Sequence, residues 1–494
     1  MNIISKVLFL SLLVGAIVSC KGDITDINHN PNALEYGTVN PENLMDDLIY
    51  NASRVQTSQT FATQGDLIQY CVRNSTSLSV NHYNISTSLV YNIWNNLYRW
   101  TTEAHHMKER SVETGNKAAE AIAIIMESLL IQNITDIYGD VPYSDAFKTY
   151  SGVTKPKFDT QQQIYQALES NLRYANEILA SDVAISNTAK DKLYGGDMTL
   201  WRKFANSLLL RVLMRQSNRD DQLGISGKIA AVFNDKNTYP VFENVKESAV
   251  LYYDAVEPFV NYYGTSTTFG DSYKASEFMI GYMLEKSDPR IGLYYEKDGN
   301  DWKGGVSGGY HSDGSMVGAS MLNQPVLGDF SSPFSFFRYD EVLFIKAEAA
   351  QRGWIDSSKA ADLYKDANIA SLDYWQMVSG KTISDADRNA YLKSISYDGT
   401  YRQLITQKFV ALFGVGYEGW DEYRRTGFPE LKIGPATMND HILPKRFMYP
   451  LQESANNPDS YLWALDRLIN YYKGGDDMKT VVWWSAEAVK MGTE

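Results

Sequence analysis

Residues Lys117–Ile134 carry apolar side chains on every side of a helix: Ala121, Ile122, Ile124, Ile125, Met126, Leu129 and Leu130 leave no polar face. A helix apolar all round has nothing to offer water and must be enclosed by other elements. That demand fixes a layered, helix-rich fold, and the flanking sequence supplies the layers. Thr160–Ala180 places Ile164, Leu168, Leu172, Ala175 and Leu179 at helical steps. Thr199–Gln216 repeats the pattern through Trp201, Phe204, Leu208, Val212 and Arg215, and Tyr401–Phe413 is a further helix.

Tyr339–Arg352 and Ser358–Trp375 form a helical pair joined by Gly353-Trp354-Ile355-Asp356-Ser357. The pair spans about one tetratricopeptide period, and Ala360, Tyr364 and Ala367 match its small–aromatic–small spacing. The first helix lacks the usual Trp and Gly signature, so a divergent repeat and an ordinary helical hairpin both fit. Two long stretches show no helical period. Phe61–Asn92 is rich in Ser, Thr, Asn and Gln, and Tyr294–Phe337 holds eight glycines between Gly299 and Gly328. Long irregular segments inside a compact chain are often functional. No Pro/Ser-rich linker or charge block divides the sequence, and 44% of its 494 residues are hydrophobic. The expected fold is mainly α: a single large helical domain with divergent tetratricopeptide-like pairs and long loop-rich insertions.

The amino terminus reads as an export signal. Lys6 precedes an apolar run, Val7–Val18, too short to span a bilayer core, which takes about 20 residues. Ile17-Val18-Ser19-Cys20 then fits the slot of lipoprotein signal peptidase. Residues 1–19 are therefore expected to be removed and Cys20 to be acylated, anchoring the chain to a membrane. Residues 20–45, rich in Asn, Asp, Gly and Pro, read as a tether. Lipidation leaves Cys71 alone, which excludes an internal disulfide and makes a small buried hydrophobe its simplest role. A formal charge of −13, made one unit more negative by loss of Lys6, argues against a nucleic-acid partner.

No motif supports catalysis. Gly305-Val306-Ser307-Gly308-Gly309 spells G-x-S-x-G, but the flanking DGNDWKG and YHSDGSM supply neither the strand before nor the helix after the serine that such a nucleophile needs. His105 and His106 are adjacent and cannot grip one ion from a helix face, and there is no HExxH. Asp298, Asn300 and Asp301 depart from a calcium loop and read as a solvated turn. The expectation is no catalytic residue, no metal and no cofactor. Aromatics are the positive feature: 34 Tyr, 19 Phe and 10 Trp make 13% of the chain. An exposed aromatic plane accepts the C–H face of a sugar while neighbouring amides bond its hydroxyls. Tyr83 with Asn81 and Asn84, and Trp302 and Tyr310 with Asp301 and Asp313, have that composition. The candidate ligand-binding residues are Arg73, Tyr83, Asn84, Trp302 and Tyr310.

Several segments, in order, resemble the SusD/RagB family of outer-membrane nutrient-binding lipoproteins, in particular its SusD-like branch. They are Asp26-Ile27-Asn28 through Asn32, Trp94-Asn95-Asn96-Leu97-Tyr98, Thr135 through Ala146 (TDIYGDVPYSDA) and Trp201 through Leu208 with Arg211 and Arg215. Ala347-Glu348-Ala349, Gly419 through Arg425 (GWDEYRR), Arg446-Phe447 through Pro450, Asn457-Pro458 and Val482-Trp483-Trp484 complete the set. The resemblance implies a helical scaffold at residues 46–494, a cell-surface location on the outer membrane, and binding without catalysis. It also implies a SusC-like TonB-dependent transporter as partner, fed with oligosaccharide or, in the RagB-like case, peptide. A surface glycoside hydrolase, and a structural scaffold whose helix pairs hold other envelope proteins, are the remaining alternatives. Arg424 and Arg425 are expected to tie helices together rather than touch ligand.

Overall fold

A computed structural model describes residues 39–485 apart from 267–268, 311–313 and 315. Cys20, the signal segment, most of the tether and Asp313 lie outside these described residues. The apolar helix is present and longer than its sequence pattern, Lys117–Tyr138 (α3), with every residue after Lys117 buried. Asn116 caps it, its Oδ1 accepting from Ala119 N–H at 3.0 Å, and Gly139 at φ +88° ends it. By length and composition α3 could cross a membrane, yet its apolar window is wholly buried inside the protein.

The enclosure of α3 follows the chain. Helix α1 (Met45–Gln59) precedes α2 (Thr87–Thr114), and α2 is joined to α3 by Gly115 and Asn116 alone. So short a link makes antiparallel neighbours. Helices α4 (Gln161–Leu179), α5 (Met198–Arg215) and α6 (Ile225–Asn234) extend the stack, α4 starting at a Thr160 cap. After α7 (Glu277–Glu285) comes the second hairpin, α8 (Tyr339–Gln351) and α9 (Ala360–Ser379), turned at Gly353 with φ +75°. Ala360, Tyr364 and Ala367 all face the interior, as the repeat spacing requires. Helices α10 (Asp385–Ser394), α11 (Tyr401–Ala411), α12 (Glu418–Thr426), α13 (Leu451–Asn456) and α14 (Pro458–Asn470) complete the scaffold.

The helices are cross-tied by a buried ionic network. Arg211 of α5 makes a two-pronged contact with Glu341 of α8 at 2.7 and 2.6 Å, and Arg215 reaches Glu418 at 2.6 Å and Asp136 at 3.4 Å. Arg425 of α12 grips both oxygens of Glu348 at 2.7 and 2.6 Å. Arg424 donates to the Asp136 carbonyl at 2.6 Å and the Lys445 carbonyl at 2.9 Å. Trp484 adds an indole donor to Asp136 at 2.8 Å. The arginine pair of α12 is therefore structural.

Short strands decorate the scaffold. Cys71–Arg73 (β1), Val141–Pro142 (β2), Phe158–Asp159 (β3), Ala249–Leu251 (β4), Tyr273–Ala275 (β5), Tyr295–Glu296 (β6), Met321–Leu322 (β7) and Phe334–Phe337 (β8) pair antiparallel. The largest sheet has the order β1-β5-β7-β6, with Cys71 opposite Ala275 and Arg73 opposite Tyr273. Cys71 is buried, its thiol facing the Phe61 carbonyl at 3.4 Å.

Two boundaries differ from the sequence reading. Phe61–Asn92 is not irregular throughout: Thr60–Gly65 is a π-helical turn continuing α1, and α2 begins at Thr87. Ser86 starts α2 by accepting from Leu89 N–H at 3.2 Å, and Val90, Ile93, Trp94 and Leu97 turn inward while Asn92, Asn95 and Asn96 stay exposed. The tether drawn to residue 45 also runs into packed structure. Pro41–Leu44 is a 3-10 turn, and buried Glu42 accepts from Ser186 N–H, Asn187 N–H and Asn116 Nδ2 at 2.9, 2.8 and 2.8 Å. The described residues from Pro41 to Ser485 belong to one compact unit.

Candidate functional site

The irregular segments converge on one loop-rich face, and the convergence starts at Asp66. This carboxylate is fully buried and accepts from Arg73 N–H at 2.7 Å, Asn81 N–H at 3.0 Å and Asn81 Nδ2 at 3.0 Å. It pins the end of β1 to the turn Val80–His82. Burial pushes the Asp66 carboxyl up to about 6, against those same hydrogen bonds.

His82 carries the tie onward. Its Nδ1 accepts from Ser79 N–H at 3.2 Å and its Nε2 lies 2.9 Å from the Gly309 carbonyl. One neutral tautomer, protonated on Nε2, satisfies both bonds. The His82 carbonyl accepts from Met438 N–H at 2.7 Å, and the Gly308 carbonyl accepts from Ala436 N–H at 2.8 Å. Gly308 has φ +64°, and a Cβ there would meet Thr437 Cγ2 at 2.4 Å, so only glycine lets the two strands of chain approach. Segments near residues 66–84, 305–310 and 434–441 are thereby locked together.

On this frame Tyr310 stands 61% exposed, with Leu78 and Met438 also exposed. Arg73 is exposed at the end of β1, its guanidinium 5.8 Å from the Tyr273 ring, and Asn84 is exposed beyond the turn. Three of the five expected residues, Arg73, Asn84 and Tyr310, thus project from one hydrogen-bonded frame. Trp302 is half-buried on the neighbouring loop, with Lys297 Nζ 5.4 Å from its ring. That loop joins the same region through the Ser276–Gly305 bridge.

Tyr83 is placed differently. It is 2% exposed, at φ +57° directly after the Val80–His82 turn, and its ring belongs to the core. The left-handed backbone turns its side chain inward, so the ring supports the face and offers no plane to a ligand. Leu78, Met438, Asp66 and His82 were not legible in the sequence. Met438 lies more than 300 residues from the turn it caps, and no spacing rule links them. Ser307 is 8% exposed, and the described residues directly after it, Gly308–Tyr310, form no helix, unlike the strand–serine–helix turn of such a nucleophile. Asp298, of the solvated-turn reading, lies 3.6 Å from Lys274 Nζ.

These tied segments expose an aromatic ring, a guanidinium and an amide, with Leu78 and Met438 as apolar neighbours.

The family described as SusD-like, starch-binding and associating with the outer membrane matches residues 31–450. Among solved structures, a chitin-binding protein superposes with a TM-score of 0.77 at 26% identity, covering 90% of this chain and 100% of its own. A SusD homologue from Bacteroides fragilis gives 0.77 at 24% identity with the same coverages. A chitin-binding SusD homologue from Flavobacterium johnsoniae gives 0.75 at 21% identity, covering 90% of this chain and 98% of its own. No curated protein matches the sequence. The chain belongs to the SusD-like family, whose members are described as starch-binding and as associating with the outer membrane.

Proposed function

We propose that this chain is a cell-surface lipoprotein, anchored through Cys20, that captures an oligosaccharide on the loop face around Tyr310 and delivers it to a TonB-dependent transporter. The observation that supports the reading is the hydrogen-bonded frame: Asp66 and His82 tie three distant segments, and Arg73, Asn84 and Tyr310 on those segments are each exposed. A binding face fixed before the ligand arrives avoids the ordering cost of a mobile one. Family membership and the 26%-identical chitin-binding relative support a glycan as the ligand class.

The test is calorimetry on the full chain in a detergent without a sugar headgroup, titrated with starch oligosaccharides, chitin oligosaccharides and a mixed-sequence peptide panel. Saturable glycan binding, with no reducing sugar released over time, is the expected result. Peptide binding without glycan binding would move the chain to the peptide-scavenging reading. Transporter association is tested separately, by co-purification of a large β-barrel protein with the native membrane form.

A further inference from the structure

A cleft of about 500 Å³ opens between α6 and α8 and shares no residue with the loop face. Tyr339, Val342, Leu343 and Lys346 line it at positions i, i+3, i+4 and i+7, so it runs along a single face of α8. The end of α6 and the chain after it close the other side, contributing Phe233 and Val241. Val342 and Leu343 are buried and form the floor. Val241 and Tyr339 stay half-buried and open to the cleft, as does Lys346.

The charge in this cleft is unbalanced. Among the described residues the Lys346 ammonium meets no carboxylate and donates to no acceptor; it rests 5.4 Å from the Phe233 ring. Acids are not scarce in the chain, where 59 Asp and Glu face 46 Lys and Arg. The acid at the rim is already engaged, Glu243 meeting Lys203 at 3.0 Å and Lys236 at 3.6 Å. Lys236 brings a second positive charge to the same rim. An exposed lysine without an acid partner is served by water. A half-buried one gives up part of that hydration, and an aromatic face returns less than an anion would. Burial, and then the Lys236 charge, hold the Lys346 amine below its ordinary pKa, as befits an ammonium without a counter-ion.

From this arrangement we infer that the α6–α8 cleft binds a small monocarboxylate with an apolar body, its carboxylate on Lys346 and its body between Val241 and Tyr339. One ammonium matches one negative charge, and walls of valine and aromatic rings suit a hydrocarbon or aromatic body better than a hydroxylated one. The volume lies within the range of small-molecule sites. The site is independent of glycan capture at the loop face.

The experiment is calorimetry on the full chain in the same sugar-free detergent, with phenylacetate and hexanoate as probes and phenylacetamide and hexanamide as their uncharged counterparts. At least one carboxylate is expected to bind one-to-one, and its amide at least tenfold more weakly. Lys346→Met keeps an aliphatic stem and removes the charge, so it is expected to weaken carboxylate binding at least tenfold, while Tyr310→Ala leaves it unchanged. Asn237→Trp, a plug on the exposed rim, is expected to have the same effect as Lys346→Met, and it keeps the test valid if Lys346→Met lowers the Tm. The inference is overturned if neither carboxylate saturates at millimolar concentration, if the amides bind as tightly as the acids, or if either cleft variant with an unchanged Tm binds as tightly as the parent.

Discussion

Asp66 shows how one buried group organises a surface. Its pKa, raised to about 6, means that the folded chain holds that proton more tightly than the unfolded chain does. The stabilisation is therefore fully present below the ordinary aspartate pKa and is lost as pH rises through about 6. Between pH 4 and 6.5 the parent should lose about 2–3 kcal/mol relative to Asp66→Asn, whose stability lacks this slope. Denaturant midpoints of the two proteins across that window check it, and parallel curves would refute it. At the surface, Tyr310→Ala should weaken glycan binding on the loop face about tenfold, or 1.4 kcal/mol, with Tm unchanged. Tyr83→Ala is the contrasting case. It removes a core ring, so it should cost about 3–5 kcal/mol of stability, seen in thermal melts. The residue-level reading separated these two tyrosines poorly because both sit among Asn, Ser and Gly. What divides them is a backbone angle, φ +57° at Tyr83, which composition does not encode.

Among the elements, α3 and α4 were legible because one is apolar all round and the other is cleanly periodic. Helix α2 was read as irregular chain over its first residues, Thr87–Asn92. Its outward Asn92, Asn95 and Asn96 look like loop residues, and only the inward Val90, Ile93, Trp94 and Leu97 reveal the period. The ties between helices were half legible. Two adjacent arginines in α12 suggested a structural role, but Glu348 lies 77 residues before Arg425 and nothing local names it. Burial pushes the Glu348 carboxyl up, while Arg425 and Arg352 pull it well below the ordinary glutamate range, so it stays charged. Breaking one side of such a pair strands a buried charge. Arg425→Met should therefore destabilise the chain by about 3–5 kcal/mol, and the double variant Arg425→Met/Glu348→Leu should recover part of it. Urea unfolding of the three proteins measures both effects, and no recovery in the double variant would contradict the charge-stranding account.

Over the whole molecule, the loop face gathers segments from both ends of the sequence, so its position was visible only once the scaffold had closed. The proposed anchor makes a simple prediction: Cys20→Ser should move the protein from the membrane pellet to the soluble fraction on cell fractionation, because acyl chains carry the attachment. Helix α3 bears on the same journey. In the fold its apolar length is covered on all sides, and Glu127 meets Lys108 at 2.7 Å. A chain exported as proposed passes through the translocation channel before any of those neighbours exist. During that passage α3 is a bare segment that a lateral gate could release into lipid. Charged residues near the middle of such a segment oppose release by about 2.5–3.5 kcal/mol each on insertion scales. Glu127 thus has two successive environments to satisfy, a hydrocarbon edge it must refuse and a protein interior where a lysine awaits it. Glu127→Leu should leave a fraction of the chain arrested in the inner membrane, detected by fractionation and protease accessibility of its carboxyl-terminal half. The helix that most constrains the fold is also the segment that puts its delivery most at risk.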